Sequence, residues 1–288
     1  MSELKKELEN LVIKSKDQQW FVDFFELDIN INPFASGTTS NIYDCNWRGT
    51  SIAVKKLKIE TNFTIKDFLN EIKIWHTIRH PNIVQFLGVS IHKDAIYLLL
   101  QKIEGMSLKD YILKKNNLSE KLKIKLSKQI VSIFYFLHKC NPPIIYRDLK
   151  AENILIESEK VYLTDFGLSR FYPDDNNYKM TGNTGTLRYM APEVFKKKNY
   201  NLKVDIYSIG MIIYFIFKMK LPFDGYDKKT IIEYLDHDRN MKFNLQNVIV
   251  KKVIENCINK NIEKRFDIIQ LSEQINKIKK SKYLLFFI

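Results

Sequence analysis

The stretch Tyr146-Arg147-Asp148-Leu149-Lys150-Ala151-Glu152-Asn153 decides how this chain is read. Pro142-Pro143 precedes it and the apolar Ile154-Leu155-Ile156 follows, so it reads as a loop running into a strand. Within six residues it supplies a carboxylate (Asp148), a cation (Lys150) and an amide (Asn153). Twelve residues after Asn153, behind the strand-like Val161-Tyr162-Leu163, comes Asp165-Phe166-Gly167. Asn153 and Asp165 offer hard oxygen ligands of the kind that hold Mg2+ together with substrate phosphates. Asp148 is suited to accept a proton from an attacking hydroxyl, and Lys150 to neutralise charge on a moving phosphoryl group. Taken singly, each Asp has an ordinary reading as a helix cap or turn residue. At this spacing the chemical reading is the stronger.

Outward from these motifs the chain changes character near Gln101–Gly105. Residues 3–16 show Leu4, Leu8, Leu11 and Val12 at helical spacing, and Trp20 to Ile31 (WFVDFFELDINI) is an aromatic, β-branched lead-in expected to run extended. A strand from Phe34, the turn-rich ASGTTSN, and the strand patterns NIYDCNW and TSIAVKKL around Arg48-Gly49 come next. Thr64 to Arg79 carries Ile65, Phe68, Leu69, Ile72 and Trp75–Ile78 on one helix face, and the strands IVQFLGV and AIYLLLQ follow. Beyond Gly105 the patterns are helical: Leu118–Leu137, Val204–Phe217, Thr230–Leu235, Val248–Ile258 and Ile268–Ile278. The expected fold class is α+β, with a small antiparallel β lobe carrying one helix and a larger, mainly α-helical lobe.

A chain of 288 residues with 45% hydrophobic and 27% charged residues has ample core, which excludes collagen-like, coiled-coil-only and disordered readings. Its longest apolar run, Ile206–Phe217, is too short to span a bilayer, and MSELKKELEN lacks a secretory core. Cys45, Cys140 and Cys257 stand at unrelated spacings, so neither a disulfide framework nor a zinc site is expected; a reducing cytosol is the default compartment. The net charge of +13 raises the question of nucleic acid. Only seven of the 46 basic residues are Arg, the lysines are dispersed with no run beyond Lys196–Lys198, and no nucleic-acid motif is present. A solvated basic surface is the better reading, with no nucleic-acid partner.

In order, Ile52-Ala53-Val54-Lys55, Glu71, Tyr146-Arg147-Asp148, Asn153, Asp165-Phe166-Gly167, Ala191-Pro192-Glu193, Asp205 and Arg265 together resemble the motif set of eukaryotic-type protein kinases. HPNIVQFLGV (80–89) and RYMAPEVF (188–195) are similar to the tyrosine-kinase-like, Raf-related branch. The resemblance covers nearly the whole chain. It implies a lead-in at 1–27, a kinase domain at 28–281 (small lobe about 28–102, large lobe about 103–281) and an apolar tail at 282–288, which packs on the large lobe or marks a partner site. It implies ATP and Mg2+ as cofactors and a protein substrate, with a monomer as default. By resemblance, Lys55 holds the α- and β-phosphates and pairs with Glu71, while Asp148 and Lys150 act in transfer and Asn153 and Asp165 hold the metal. Phe34, Ala35 and Gly37 belong to the phosphate loop. Ile42, Ala53 and Leu155 sandwich adenine, Leu100 guards its back, and backbone groups of Gln101 and Ile103 bond it. Lys150 and Gly185-Thr186 resemble serine/threonine kinases. The resemblance further implies a column of Phe86, Trp75, Phe166 and Tyr146 standing on Asp205, and phosphorylation at Tyr178, Thr181 or Thr184 pairing with Arg147.

Two positions depart from the family. The phosphate loop, Ala35-Ser36-Gly37-Thr38-Thr39-Ser40-Asn41-Ile42, keeps only its middle glycine. Ala35 and Ser40 are expected to restrict φ and weaken ATP binding. Tyr146 stands where His is usual. The eroded loop motivates a competing reading, a pseudokinase scaffold or allosteric partner with weak ATP binding. Against it, Lys55, Asp148, Asn153 and Asp165 are all present.

Overall fold

The computed structural model describes residues 10, 12–13, 15–17, 19–36, 40–57, 65–93, 95–172, 187–236 and 244–278, without the side chains of 65–70. Gly37, Thr38 and Thr39, the candidate phosphosites Tyr178, Thr181 and Thr184, Gly185-Thr186, the tail, most of the N-terminal helix and the side chains of Ile65, Phe68 and Leu69 lie outside the described residues. The chain divides into two compact units, Met1–Glu104 and Gly105–Ile288.

The first unit is a five-stranded antiparallel sheet in the order β1-β2-β3-β5-β4, made of Leu27–Ser36, Ser40–Trp47, Thr50–Leu57, Phe86–His92 (β4) and Ala95–Gln101 (β5). Helix α1, Ile65–Thr77, is inserted between β3 and β4. Period-2 alternation buries Ile52 and Val54 with Leu99 and Tyr97, while Val22 and Leu27 from the lead-in join the same cluster. Strand β1 begins seven residues before the Phe34 start that the sequence suggests. Pro33 lies within it, tolerated because β1 is an edge strand with register shifts on both sides of that proline.

The second unit is mainly helical. Among the described residues its helices are α2 Leu108–Lys114, α3 Glu120–Lys139, α4 Pro192–Phe195, α5 Lys203–Lys218, α6 Lys228–Asp236, α7 Val248–Cys257 and α8 Ile268–Lys277. Ser119 opens α3 by accepting the Leu122 N–H on its hydroxyl, and α8 starts in a capping box between Asp267 and Gln270. The largely apolar α5 is buried along most of its length, and its Gly210 lets it approach α7: a Cβ there would meet that of Cys257 at 2.6 Å. Short strands complete the unit: β6 Met106–Ser107 pairs with β8 Ile154–Glu157, β8 with β9 Lys160–Leu163, and β7 Ile144–Ile145 with β10 Arg170–Phe171. The sequence reading omits α2, a seven-residue helix made visible only by its Ser107 cap.

Candidate active site

In the first unit, the β2–β3 register sets Ile42 beside Lys55, and the β3–β5 register sets Ala53 beside Leu100. Lys55 reaches α1, where its Nζ lies 2.9 Å from Oε1 of Glu71, both side chains nearly excluded from water. Trp75, one turn further along α1, is buried and donates its indole N–H to the Val84 carbonyl at 2.8 Å. Leu100 is buried, whereas Gln101 and Ile103 are half-buried. The Gln101 N–H is already spent on the Gln85 carbonyl, which narrows what this residue has for adenine to its carbonyl oxygen. Phe34 and Ala35 are exposed on β1. Ala35 pairs with Ile42 and Ser40 with Leu57 in ordinary strand geometry, and neither has a positive φ.

In the second unit, one carboxylate holds the start of the loop from Tyr146 to Asn153. Asp205, in the first turn of α5, accepts the backbone N–H of Tyr146 at 2.9 Å on one oxygen and that of Arg147 at 2.8 Å on the other. His138 Nε2 lies 2.9 Å from the same carboxylate. The sequence reading misses His138; a histidine on the apolar face of α3, 67 residues from its partner, carries no local signal. Tyr146 packs edge-to-face on Phe166 and Phe134 and donates its hydroxyl to the Thr164 carbonyl at 2.6 Å. Within this unit, Tyr146 therefore joins the Phe166 ring through its side chain to Asp205 through its backbone N–H. Trp75 and Phe86 are buried in the first unit.

Asp148 is almost wholly buried, yet held by two donors. Lys150 Nζ approaches Oδ2 at 2.6 Å, and Asn153 Nδ2 donates to the Asp148 carbonyl at 2.9 Å and to Oδ2 at 3.1 Å. Burial raises the Asp148 pKa above its ordinary 3.8, and the Lys150 cation pulls the other way. With the amide nitrogen of Asn153 committed to Asp148, its oxygen is the end left to face a cation. Asp165 follows β9 with φ 62°, and Arg147 has φ 71°, both left-handed for non-glycine residues. Among the described residues no group of three or more His, Cys, Asp or Glu gathers as a metal cage. Asn153 and Asp165 offer an amide oxygen and a carboxylate, hard donors of the kind that Mg2+ takes. Leu155 is half-buried on β8.

The protein kinase domain model matches residues 31–283. The chain belongs to the protein kinase family. It is 31% identical over 278 residues to "Serine/threonine-protein kinase VIK" of Arabidopsis thaliana, covering 92% of this chain and 64% of the relative. It is 34% identical over 221 residues to "Serine/threonine/tyrosine-protein kinase HT1" of the same plant, covering 74% and 55%. It is 31% identical over 229 residues to "RGS domain-containing serine/threonine-protein kinase A" of Dictyostelium discoideum, covering 78% and 19%. The chain therefore spans less than two thirds of each of these relatives. Among the described residues, no helix of this kinase chain is long and apolar enough to cross a membrane.

Proposed function

We propose that this chain transfers the γ-phosphoryl group of Mg-ATP to serine and threonine hydroxyls of protein substrates. The observation that carries the reading is the Asp148 carboxylate, buried but oriented by Lys150 and Asn153 in a loop fixed to Asp205. In this role Asp148 accepts the hydroxyl proton as the oxygen attacks. Lys150 both aims that carboxylate and offsets charge on the moving phosphoryl group. Lys55, steadied by Glu71, holds the α- and β-phosphates, and Asn153 and Asp165 supply the oxygens for Mg2+. The ion neutralises charge on the phosphates when bound. Leu100, Ala53, Ile42, Leu155, the Gln101 carbonyl and Ile103 serve adenine; Phe34, Ala35 and Gly37 serve the phosphates.

The serine/threonine preference rests on Lys150 bonded to Asp148 and on the names of the relatives, one of which also includes tyrosine. Three free cysteines, with burial pushing the Cys45 thiol up to about 11, suit a reducing cytosol. The alternative, a pseudokinase scaffold or allosteric partner with weak ATP binding, is motivated by Ala35 and Ser40 in the phosphate loop; the presence of Lys55, Asp148, Asn153 and Asp165 favours the enzyme. The deciding experiment incubates the purified chain with Mg2+ and labelled ATP and reads phosphoserine, phosphothreonine and phosphotyrosine on itself and on a generic basic protein, with Asp148→Asn as control. Label on serine or threonine that vanishes in the control is the expected result. No label, or equal label in both proteins, overturns the reading.

A further inference from the structure

The lead-in does more than precede the sheet. At Phe21 it bridges in parallel to Val89 on β4, with the Val22 N–H donating to the Val89 carbonyl at 2.9 Å and the Val89 N–H to the Trp20 carbonyl at 2.8 Å. Strand β4 is one edge of the sheet and β1 the other, so residues 20–27 travel from edge to edge. Along the way Phe24 stacks flat on His92 at 4.1 Å, and Glu26 accepts from the Trp47 indole and the Arg48 guanidinium at the β2–β3 turn. The path is a belt closed at three points.

At its start the belt holds α1. The Trp20 ring, 6% exposed, lies 5.9 Å from the ring of His76 in the last turn of α1 and 5.9 Å from Phe86. His76 and Phe86 in turn meet edge-to-face at 6.4 Å. Beneath the belt is Gly88, at a register shift in β4, where a Cβ would stand 2.7 Å from the Trp20 carbonyl and 3.1 Å from a Val22 methyl. The absence of a side chain at 88 lets the belt lie this close. Glu71 is on the same helix, five residues before His76, so a slip of α1 along its axis or about it moves Glu71 relative to Lys55 on β3.

We infer that Trp20 is a positioning residue for the Lys55–Glu71 pair: the belt at 20–22 clamps the last turn of α1 and so biases the helix toward the arrangement in which the pair forms. Seen this way, the population of the paired state depends on Trp20, and ATP affinity and turnover depend on that population. The inference rests on the kinase reading for its activity readout, but not for its structural one.

The experiment compares wild type, Trp20→Ala, Trp20→Phe, Gly88→Ala and His76→Ala, each with Glu71 and with Glu71→Gln, in labelled-ATP transfer, alongside hydrogen exchange of residues 71–77. Trp20→Ala should lower kcat/KM for ATP by about tenfold, within the usual range of coupling between sites. Phe at 20 should restore most of it. Gly88→Ala, which pushes the belt away from below without touching a ring, and His76→Ala should reproduce the loss, so the test survives if Trp20→Ala fails to fold. With Glu71→Gln in place, the further loss from each change should shrink to under about twofold, because residues acting through one pair are not additive. Exchange of 71–77 should quicken while that of α3 and α5 stays unchanged. Equal losses in both Glu71 backgrounds, or no loss in any variant, overturn the inference. If the wild type transfers no phosphate, the kinase reading fails by itself. The positioning role is then decided by exchange, and unchanged protection of 71–77 in Trp20→Ala and Gly88→Ala ends it.

Discussion

Arg265 grips Glu193 with two parallel bonds, one guanidinium nitrogen 2.5 Å from Oε1 and the other 3.0 Å from Oε2. Both side chains are shut away from solvent, and Arg265 also donates to the backbone carbonyls of Asn259 and Lys203. The pair ties the segment after α7 to the first turn of α4. Removing one partner leaves the other charge buried alone. Arg265→Met should therefore destabilise the protein by about 3–5 kcal/mol, read as a lowered denaturation midpoint. A paired replacement by apolar residues should recover part of that loss.

Asp148→Asn should abolish phosphoryl transfer without lowering the melting temperature. As a general base the carboxylate contributes about 10²–10⁴-fold. Its pKa is raised by burial, so the folded state binds its proton more tightly than the unfolded chain does. Stability from this group is full below the unfolded pKa and lost as pH rises through the folded one, and the neutral amide escapes that cost. The same shift moves the acid limb of the pH–rate profile above the ordinary carboxylate value of 3.8. A pH titration of kcat/KM and a thermal scan of both proteins test the two halves.

Lys55→Met should reduce transfer by about 10²–10³-fold, since it removes a cation aimed at phosphate. It also takes from the buried Glu71 carboxylate its 2.9 Å ion pair. A double variant, Lys55→Met with Glu71→Leu, should regain melting temperature but no activity. Recovery of activity in the double variant would contradict the role given to Lys55.

Ala35→Gly with Ser40→Gly should leave ATP affinity within about twofold, because both positions already hold strand φ values open to any residue. Each glycine should instead cost roughly 0.5–1 kcal/mol of stability through the freedom it adds to the unfolded chain. Calorimetric ATP titration and denaturant melts give the two numbers. Tightening by several-fold would show instead that Ala35 and Ser40 impair the loop.

Trp75→Ala should cost about 3–5 kcal/mol by opening a cavity beside α1. It also leaves the Val84 carbonyl without its 2.8 Å donor. Trp75→Phe fills the space but not the bond, so its loss should be smaller and should isolate the hydrogen bond.

Much of this was legible in the sequence, for definite reasons. Lys55 and Glu71 were matched through the resemblance to protein kinases, and the apolar neighbours of Glu71 at helical spacing agreed that it faces inward. The long helices α3 and α5 announced themselves by periodicity. What could not be read depends on partners far apart in the chain. Nothing local to His138 points to Asp205, and nothing in WFVDFFEL says that its tryptophan will meet His76 or that Gly88 makes room for its carbonyl. The strand start at Leu27 was hidden by the asparagines at 30 and 32 and by Pro33, a residue that sheets admit at an edge strand or a bulge. The motifs named Asp148 and Asn153; the amide nitrogen turned toward the carboxylate was a matter of geometry.

The three-way hold of Asp205 on Tyr146, Arg147 and His138 means that the octapeptide at 146–153 is not a portable module. Cut out as a peptide, or grafted onto another scaffold, it would keep its functional groups and lose the shape that aims them. Arg147 at φ 71° sits in a conformation that costs a non-glycine residue about 1–3 kcal/mol when nothing enforces it. The enforcing group comes 58 residues later in the chain than Arg147. Its asparagine substitute would carry one acceptor oxygen in place of two, and would turn a donor toward one of the two backbone amides. Anyone transplanting this chemistry must move the start of α5 along with it.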